Sequence, residues 1–382
     1  MDRMSDVRRD SSWRSTAREG SRPSPAESPN GAALDVTTRL IARIRRCVEG
    51  TVRPLLLRGP FALLDFPSHS NVGDSAIWLG ELACLAALGV NRLCYSCDLA
   101  TYDRSDLARR VRGGTILLHG GGNIGDLWEP YERFREMVVA SFPDNPIVQL
   151  PQTVHFRGRS ALARARAVFN AHPDFTLLVR DRHSLEIARN EFRVPAFLCP
   201  DSAFCLGAIR RSVPSTQPLI WLARTDCEAG DFESRINEGG WRAAIPQVLA
   251  TSRFDWIGEP PTRVRELSRA LGHRLTKRPR GRTRALRAMT SATYAPLARE
   301  RLNRGCRLLS KAEVVITDRL HGHILCLLLG IPHILLDDRY GKVRSFYETW
   351  TSESELTRWA ESPTEAAALV AGRISRANDV VR

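Results

Sequence analysis

The 382-residue chain has no apolar run approaching the roughly 18–20 residues needed to span a bilayer. The longest candidate, Ile324 to Leu336, is broken by Gly330, Pro332 and His333. The N-terminus has no apolar stretch of the kind a secretory signal requires, so the expected location is cytoplasmic. Only Cys94 and Cys97, of nine cysteines, are closely spaced, and no second pair or nearby pair of histidines completes a zinc set. They read as reduced thiols in or near a strand, with a redox or metal half-site as the alternative. There is no Gly-Lys-Ser/Thr phosphate loop and no aromatic-interleaved basic motif, so nucleic acid is not an expected partner.

Positive charge is plentiful and unevenly placed. Arg263 to Arg307 contains fourteen Lys and Arg against two Glu, in a chain whose net charge is +14. Such a run forms either a solvated face or a landing strip for anionic lipid headgroups or a pyrophosphate-linked substrate. Residues 1–35 are rich in Ser, Pro, Arg and Gly and read as a disordered tail. Short β-rich runs then alternate with helical periodicity: strands at Phe61–Phe66, Leu93–Cys97, Thr115–His119, Pro146–Leu150, Phe175–Val179 and Ala196–Cys199, helices at Ser75–Leu88 and Ser184–Phe192. A Pro-containing linker, Gly207–Pro218, precedes a second set, with strands at Leu219–Ala223, Phe254–Ile257, Glu313–Thr317 and His333–Leu336 and helices near Arg299–Leu309 and Gly322–Leu329. The pattern is α/β, with two Rossmann-like domains at about 36–210 and 218–362 and a C-terminal helix within 363–382 that would pack across the two halves.

Four polar clusters directly follow predicted strands, where open α/β sheets bind ligands. Ser70-Asn71-Val72-Gly73-Asp74 offers a carboxylate or merely an N-cap at Asp74. His119-Gly120-Gly121-Gly122-Asn123 offers bare backbone at an expected helix start. Arg180 ends a strand beside Asp181, either aimed at an anion or paired on the surface. Thr317-Asp318-Arg319-Leu320-His321-Gly322-His323, followed by Asp337 to Lys342, combines a guanidinium fork, an imidazole and a helix N-terminus. Asp318, His321 and His323 also resemble a metal-ligand set, although the adjacent Arg319 opposes a cation.

Ser70-Asn-Val-Gly-Asp74, Gly120-Gly-Gly-Asn123, Arg180-Asp181-x-x-Ser184, Pro200-Asp201-x-Ala-Phe204 and Asp318-Arg-Leu-His-Gly322, in that order, resemble the polysaccharide pyruvyl transferase family. Tyr340 to Trp350 is similar to its exopolysaccharide-cluster subgroup. Asp181 stands where many members carry Glu, and Pro151-Gln-Thr153 where Pro-Gln-Ser is usual. The resemblance implies two Rossmann-like halves facing a cleft, as in GT-B enzymes, with phosphoenolpyruvate as donor and a glycan hydroxyl pair as acceptor, the glycan being either free or lipid-linked. It assigns Arg319, Leu320, His321 and Arg180 to the donor; Lys342, Asn71, Gly121, Gly122 and Asn123 are read from the clusters themselves as further substrate-binding candidates. The chemistry then suggests His321 as general acid and Asp74 as base, with no cofactor and no metal. The alternatives are a GT-B glycosyltransferase using a nucleotide sugar and a non-enzymatic module binding polyanions or membranes through the basic run.

Overall fold

A computed structural model of the chain describes residues 29–56, 59–230, 252–258, 260, 262–276 and 283–371. Helix α1 (Pro29–Val52) leads into a seven-stranded parallel sheet. Its strands are β1 (Ala62–Leu64), β2 (Tyr95–Cys97), β3 (Ile116–Leu118), β4 (Gly121–Gly125), β5 (Ile147–His155), β6 (Phe175–Val179) and β7 (Ala196–Leu198), in the order β2-β1-β3-β5-β6-β7, with β4 pairing onto β5. The connecting helices are α2 (Val72–Ala87), α3 (Arg104–Val111), α4 (Glu129–Ser141), α5 (Arg159–Ala171) and α6 (Arg182–Glu191). A second parallel sheet follows, with β8 (Gln217–Leu222), β9 (Ser252–Phe254), β10 (Ala312–Thr317), β11 (His333–Leu335) and β12 (Thr357–Trp359) in the order β12-β11-β10-β8-β9. Around it lie α7 (Arg263–Thr276), α8 (Arg284–Ala292), α9 (Tyr294–Ser310), α10 (Leu320–Leu329), α11 (Lys342–Phe346) and α12 (363–371). Among the described residues no helix is long and apolar enough to cross a membrane.

Central strands such as Ile116–Leu118 and Phe175–Val179 are buried at every position. Continuous apolar runs suit parallel strands covered on both faces. One apolar core runs between the sheets: Leu63, Leu117, Val148 and Leu178 of the first meet α1, α2, α9 and α10, which in turn cover Ile220, Leu222, Val315 and Leu335 of the second. Tyr294, at the start of α9, stacks on Phe66 with ring centroids 4.1 Å apart and shares a hydrogen bond of 2.8 Å with Thr101.

Four expectations change. The helix α1 begins at Pro29, inside the stretch expected to be irregular, and Leu40, Ile44, Val48 and Val52 bury one face at a spacing of four. The glycine-rich stretch does not open a helix: Gly121–Gly125 pairs as β4 with the extended end of β5, and α4 starts only at Glu129. The final helix packs on its own sheet, with Ala366, Ala367 and Val370 against Trp221 and Ile334, rather than across both halves. β12 was not anticipated, because Thr357-Arg358-Trp359 carries no apolar run. Residues 372–382, and with them the rest of the expected C-terminal helix, lie outside the described residues.

The contact between α2 and α9 is close enough to demand glycine. A Cβ on Gly305 would lie 2.4 Å from Val72 Cγ1. Overpacking of a tight core costs about 1–3 kcal/mol. Gly305→Ala should therefore lower stability by that amount in urea unfolding, and Val72→Ala in the same chain should recover most of the loss. Equal stability of Gly305→Ala and wild type would show that the helices are not packed this closely.

Candidate active site

A cavity of about 410 Å³ is lined by residues immediately following strands of both sheets: Asp65 after β1, His119 and Gly120 after β3, Arg180 after β6, Arg224 after β8 and Arg319 after β10. Parallel strands place these ends on a common side of each sheet. Asn71, Asp74, Gly122, Asn123, Arg180, Arg319, Leu320, His321 and Lys342, all selected from sequence, line this one cavity. Gly121 does not; at φ 132° it backs onto Ile77.

The N-cap of α2 is Asn71, not Asp74. Its Oδ1 accepts from Gly73 N at 3.0 Å, while its Nδ2 donates to Asp74 Oδ2 at 2.8 Å and so aims that carboxylate. Burial would raise the Asp74 pKa, but His69, His321, His119 and Arg180 together outweigh it and hold the group below its ordinary value. The His321 ring rests on Gly73, where a Cβ would come within 2.5 Å of Nδ1. Glycine at 73 is thus what lets the start of α10 approach the start of α2.

Arg180 is almost fully buried. Its Nε donates to Thr153 Oγ1 and its Nη1 to Asp201 Oδ2, both at 2.8 Å. The same Asp201 oxygen lies 3.3 Å from His321 Nε2, an ion-pair distance without hydrogen-bond alignment. Asp201 Oδ1 accepts from Ala203 N at 2.9 Å. Against the cost of burial, His321, Arg180 and the Ala203 amide hold the Asp201 carboxyl well below the usual range, so it stays ionised. Arg180 Nη2 points toward Gly122, whose Cβ would lie 2.8 Å from it and 3.8 Å from Lys342 Nζ. That corner is kept open by the missing side chain.

The cavity's arginines and Lys342 are all paired with carboxylates. Arg319 Nη2 donates to Asp226 at 3.3 Å and to Asp255. Lys342 Nζ bonds Glu228 and reaches the Gly122 carbonyl at 3.4 Å. Arg224 bonds Asp226 at 2.9 Å and pairs with Glu228 and, at 3.7 Å, Asp338. The carboxylates hold the cations from one side, and donors remain: Arg319 Nε is buried without a partner. Arg224, Asp226, Glu228 and Asp201 were not singled out as site residues. They carry no glycine or strand-end signature of their own, although Asp201 stood in a quoted motif.

The alternative metal set does not assemble. His323 turns into the core, bonding His333 at 2.7 Å and Thr351 at 2.8 Å, and Asp318 accepts from Arg224 N at 2.8 Å. Among the described residues no group of three such side chains is placed to hold a metal. Asp181 is the N-cap of α6, accepting from Ser184 N at 2.8 Å. Cys94 and Cys97 form no disulfide. Part of the basic run turns inward: Arg301 bonds the carbonyls of Pro67 and Ser68, Arg304 those of Ser70 and Trp256, and Arg287 pairs with Asp103. Arg301 and Arg304 thereby fix the 67–70 loop that forms one wall of the cavity. Lys277, Arg278, Arg280 and Arg282 lie outside the described residues.

The profile of the polysaccharide pyruvyl transferase family matches residues 71–339, most of the chain and nearly all of this cavity. The chain belongs to the polysaccharide pyruvyl transferase family. Membership makes it a transferase acting in pyruvyl transfer to polysaccharide. It is 32% identical over 302 residues to Pyruvyl transferase 1 of Schizosaccharomyces pombe, covering 76% of this chain and 69% of that one. It is 30% identical over 301 residues to EpsO of Bacillus subtilis, covering 77% and 86%. Its fold resembles the crystal structure of an uncharacterized protein of Klebsiella pneumoniae, with a TM-score of 0.52 and 18% identity over 84% of this chain and 99% of that one. Asp65 and Lys342 line the cavity from just outside the family match.

Asp65 is the least comfortable group in the wall. Its Oδ1 is buried without a partner, and burial lifts its pKa to about 7 from 3.8, despite His119 and Arg135 and with opposition from Asp74 and Asp98. A raised carboxyl pKa favours the native state only while the group is protonated. As pH rises above about 4 the unfolded chain ionises first, so native stability is lost progressively up to about pH 7. Asp65→Asn removes that loss. In urea unfolding the variant should gain on wild type from pH 4 upward, with an excess on the order of 4 kcal/mol above pH 7. A pH-independent difference would show that Asp65 is not held protonated by burial.

Proposed function

We propose that this cavity transfers the enolpyruvyl group of phosphoenolpyruvate to two hydroxyls of one sugar in a glycan acceptor, forming a pyruvate ketal. The supporting observation is the corner at Gly122, where Arg180 Nη2 and Lys342 Nζ approach one point and the same cavity holds Arg319 with its unpartnered buried Nε. A buried trianion needs several such charge-assisted donors. On this reading the two sheets correspond to GT-B-like halves at 36–210 and 218–362. No cofactor or metal is invoked. The acceptor glycan, free or lipid-linked, enters from the solvent side. The exposed Arg263, Arg269 and Arg274 of α7 would meet an anionic membrane surface, and the protein would act in the cytoplasm.

His321 donates a proton to C3 of the enol, and C2 becomes an oxocarbenium centre. A sugar hydroxyl adds to C2 while its proton passes to the Asp74 carboxylate. The C2–O bond to phosphate then breaks as Asp74 passes its proton to the leaving oxygen, so phosphate departs as hydrogen phosphate, and the neighbouring hydroxyl closes the ring on C2 while its proton returns to His321. Asp201 holds His321 and Arg180 in one geometry, so donor binding and protonation are coupled. Asp74 is held ionised by the histidines around it and is aimed by Asn71, as the base role requires.

Phosphate release from phosphoenolpyruvate, measured against a panel of glycoside acceptors, tests the reading. Arg319→Ala and Arg180→Ala should each raise the donor KM by a factor corresponding to about 2–5 kcal/mol, roughly 30-fold to several-thousand-fold. His321→Gln should lower kcat by about 10²–10⁴-fold with a modest change in donor KM, the usual size of general-acid catalysis. A large rise in donor KM with kcat preserved would leave His321 as a binding residue only. Consumption of a nucleotide sugar in place of phosphoenolpyruvate would replace the proposal with glycosyl transfer.

A further inference from the structure

The cavity has two chemically distinct ends, and the donor chemistry uses only one. Away from the Gly122 corner its wall is made by Asp65, His119, Trp128 and Tyr131. Two polar atoms in this wall, Asp65 Oδ1 and His119 Nε2, are buried with no hydrogen-bond partner. Both residues are more than nine-tenths buried. A buried unpaired polar atom costs about 1–3 kcal/mol, and packing gives no reason to retain two side by side in one wall.

The backbone is arranged to present them. Asp65 directly follows β1 and sits at φ 72°, a left-handed conformation that is costly for a non-glycine residue and that clusters at ligand sites. The His119 ring is fixed from behind: Nδ1 contacts Glu81 Oε2 at 2.7 Å, and the other Glu81 oxygen accepts from Gly120 N at 2.7 Å. Trp78 braces the ring at 5.6 Å between centroids. Nε2 is thereby the atom left over for a ligand.

The ligand class follows from charge and shape. Asp74, which stays ionised, repels an anion, so this end does not suit a second phosphate. A hydroxyl both donates and accepts, and therefore satisfies Asp65 and His119 in either protonation state. Tyr131 and the partly exposed Trp128 add aromatic faces to the cavity wall, which match the C–H face of a sugar ring. Asp74 is within electrostatic reach of Asp65 and His119 as well as of His321 and Arg180, and so is shared by both groups of residues.

We propose that Asp65, His119, Tyr131 and Trp128 form the acceptor subsite, seating one pyranose with its hydroxyls on Asp65 and His119 and its ring face on the aromatic pair. This assignment rests on the pyruvyl-transfer reading for the identity of the donor, but sugar binding at this end does not need a donor.

Two measurements separate the claims. Saturation-transfer NMR with methyl galacto-, gluco- and mannopyranosides and no phosphoenolpyruvate reads sugar contact alone. Steady-state phosphate release reads acceptor and donor KM separately. For at least one pyranoside, Asp65→Asn and Tyr131→Ala should each weaken the NMR contact and raise the acceptor KM by roughly ten- to hundredfold, the scale of a mismatched buried polar contact or a lost ring face. Donor KM should change less than about threefold, and phosphoenolpyruvate should still raise the melting temperature of both variants. Acceptor KM and NMR contact within about twofold of wild type in both variants would overturn the subsite, as would a donor KM rising in step with the acceptor's. Sugar contact that depends on Asp65 in a chain that turns over no phosphoenolpyruvate would uphold the subsite and sink the donor reading instead.

Discussion

The site depends on one buried carboxylate. Asp201 lies where the chain leaves the first sheet, and a single one of its oxygens meets Arg180 from that sheet and His321 from the second. Its other oxygen is anchored to the Ala203 amide. Removing one partner of such a buried set leaves an uncompensated charge, at a cost of about 3–5 kcal/mol. The more specific consequence is geometric: the Arg180 guanidinium and the His321 imidazole share one support. Gly73 and Gly305 serve the same end, since both remove side chains that would keep α2 from the elements of the second half.

The cavity is not a reservoir of free positive charge. Arg224, Arg319 and Lys342 are each held by Asp226, Asp255, Glu228 or Asp338 in the absence of ligand. Cations braced in this way lose less side-chain freedom on meeting a substrate, which is the usual route by which preorganisation raises affinity. Burial raises the Asp338 pKa to about 6, so part of this carboxylate set can be neutral near physiological pH. The other end, with Asp65 and the aromatic pair, has the opposite character. On the proposed reading, a charged donor and a neutral polyol are sorted by electrostatics before any shape is matched.

Much of this was legible in the residue order, for identifiable reasons. Buried parallel strands announce themselves as short apolar runs, and the residue types that bind anions fall directly after them, so Arg180, Arg319 and His321 could be picked without coordinates. Their partners could not. Asp226 and Glu228 follow β8 in a stretch with no glycine pattern, and Asp255 follows a strand of only three residues. The glycine triplet misled because bare backbone suggests a loop, whereas pairing with the extended β5 makes it a strand. The basic run misled in part because charge density says nothing of direction: Arg301 and Arg304 face inward to carbonyls of the cavity loop. The apolar core shared by both sheets was equally invisible, since the pattern identifies a buried face but not what covers it.

The central claim is that a proton reaches C3 of an enol phosphate in this cavity as the sugar adds to C2. Mass spectrometry of the glycan product formed in D₂O tests it directly. Protonation at C3 predicts a transferred group whose methyl carries one solvent deuterium, formed together with one phosphate and lost with turnover in His321→Gln. A pyruvylated product whose methyl contains no deuterium, or an acceptor modified without phosphate release, would contradict the account.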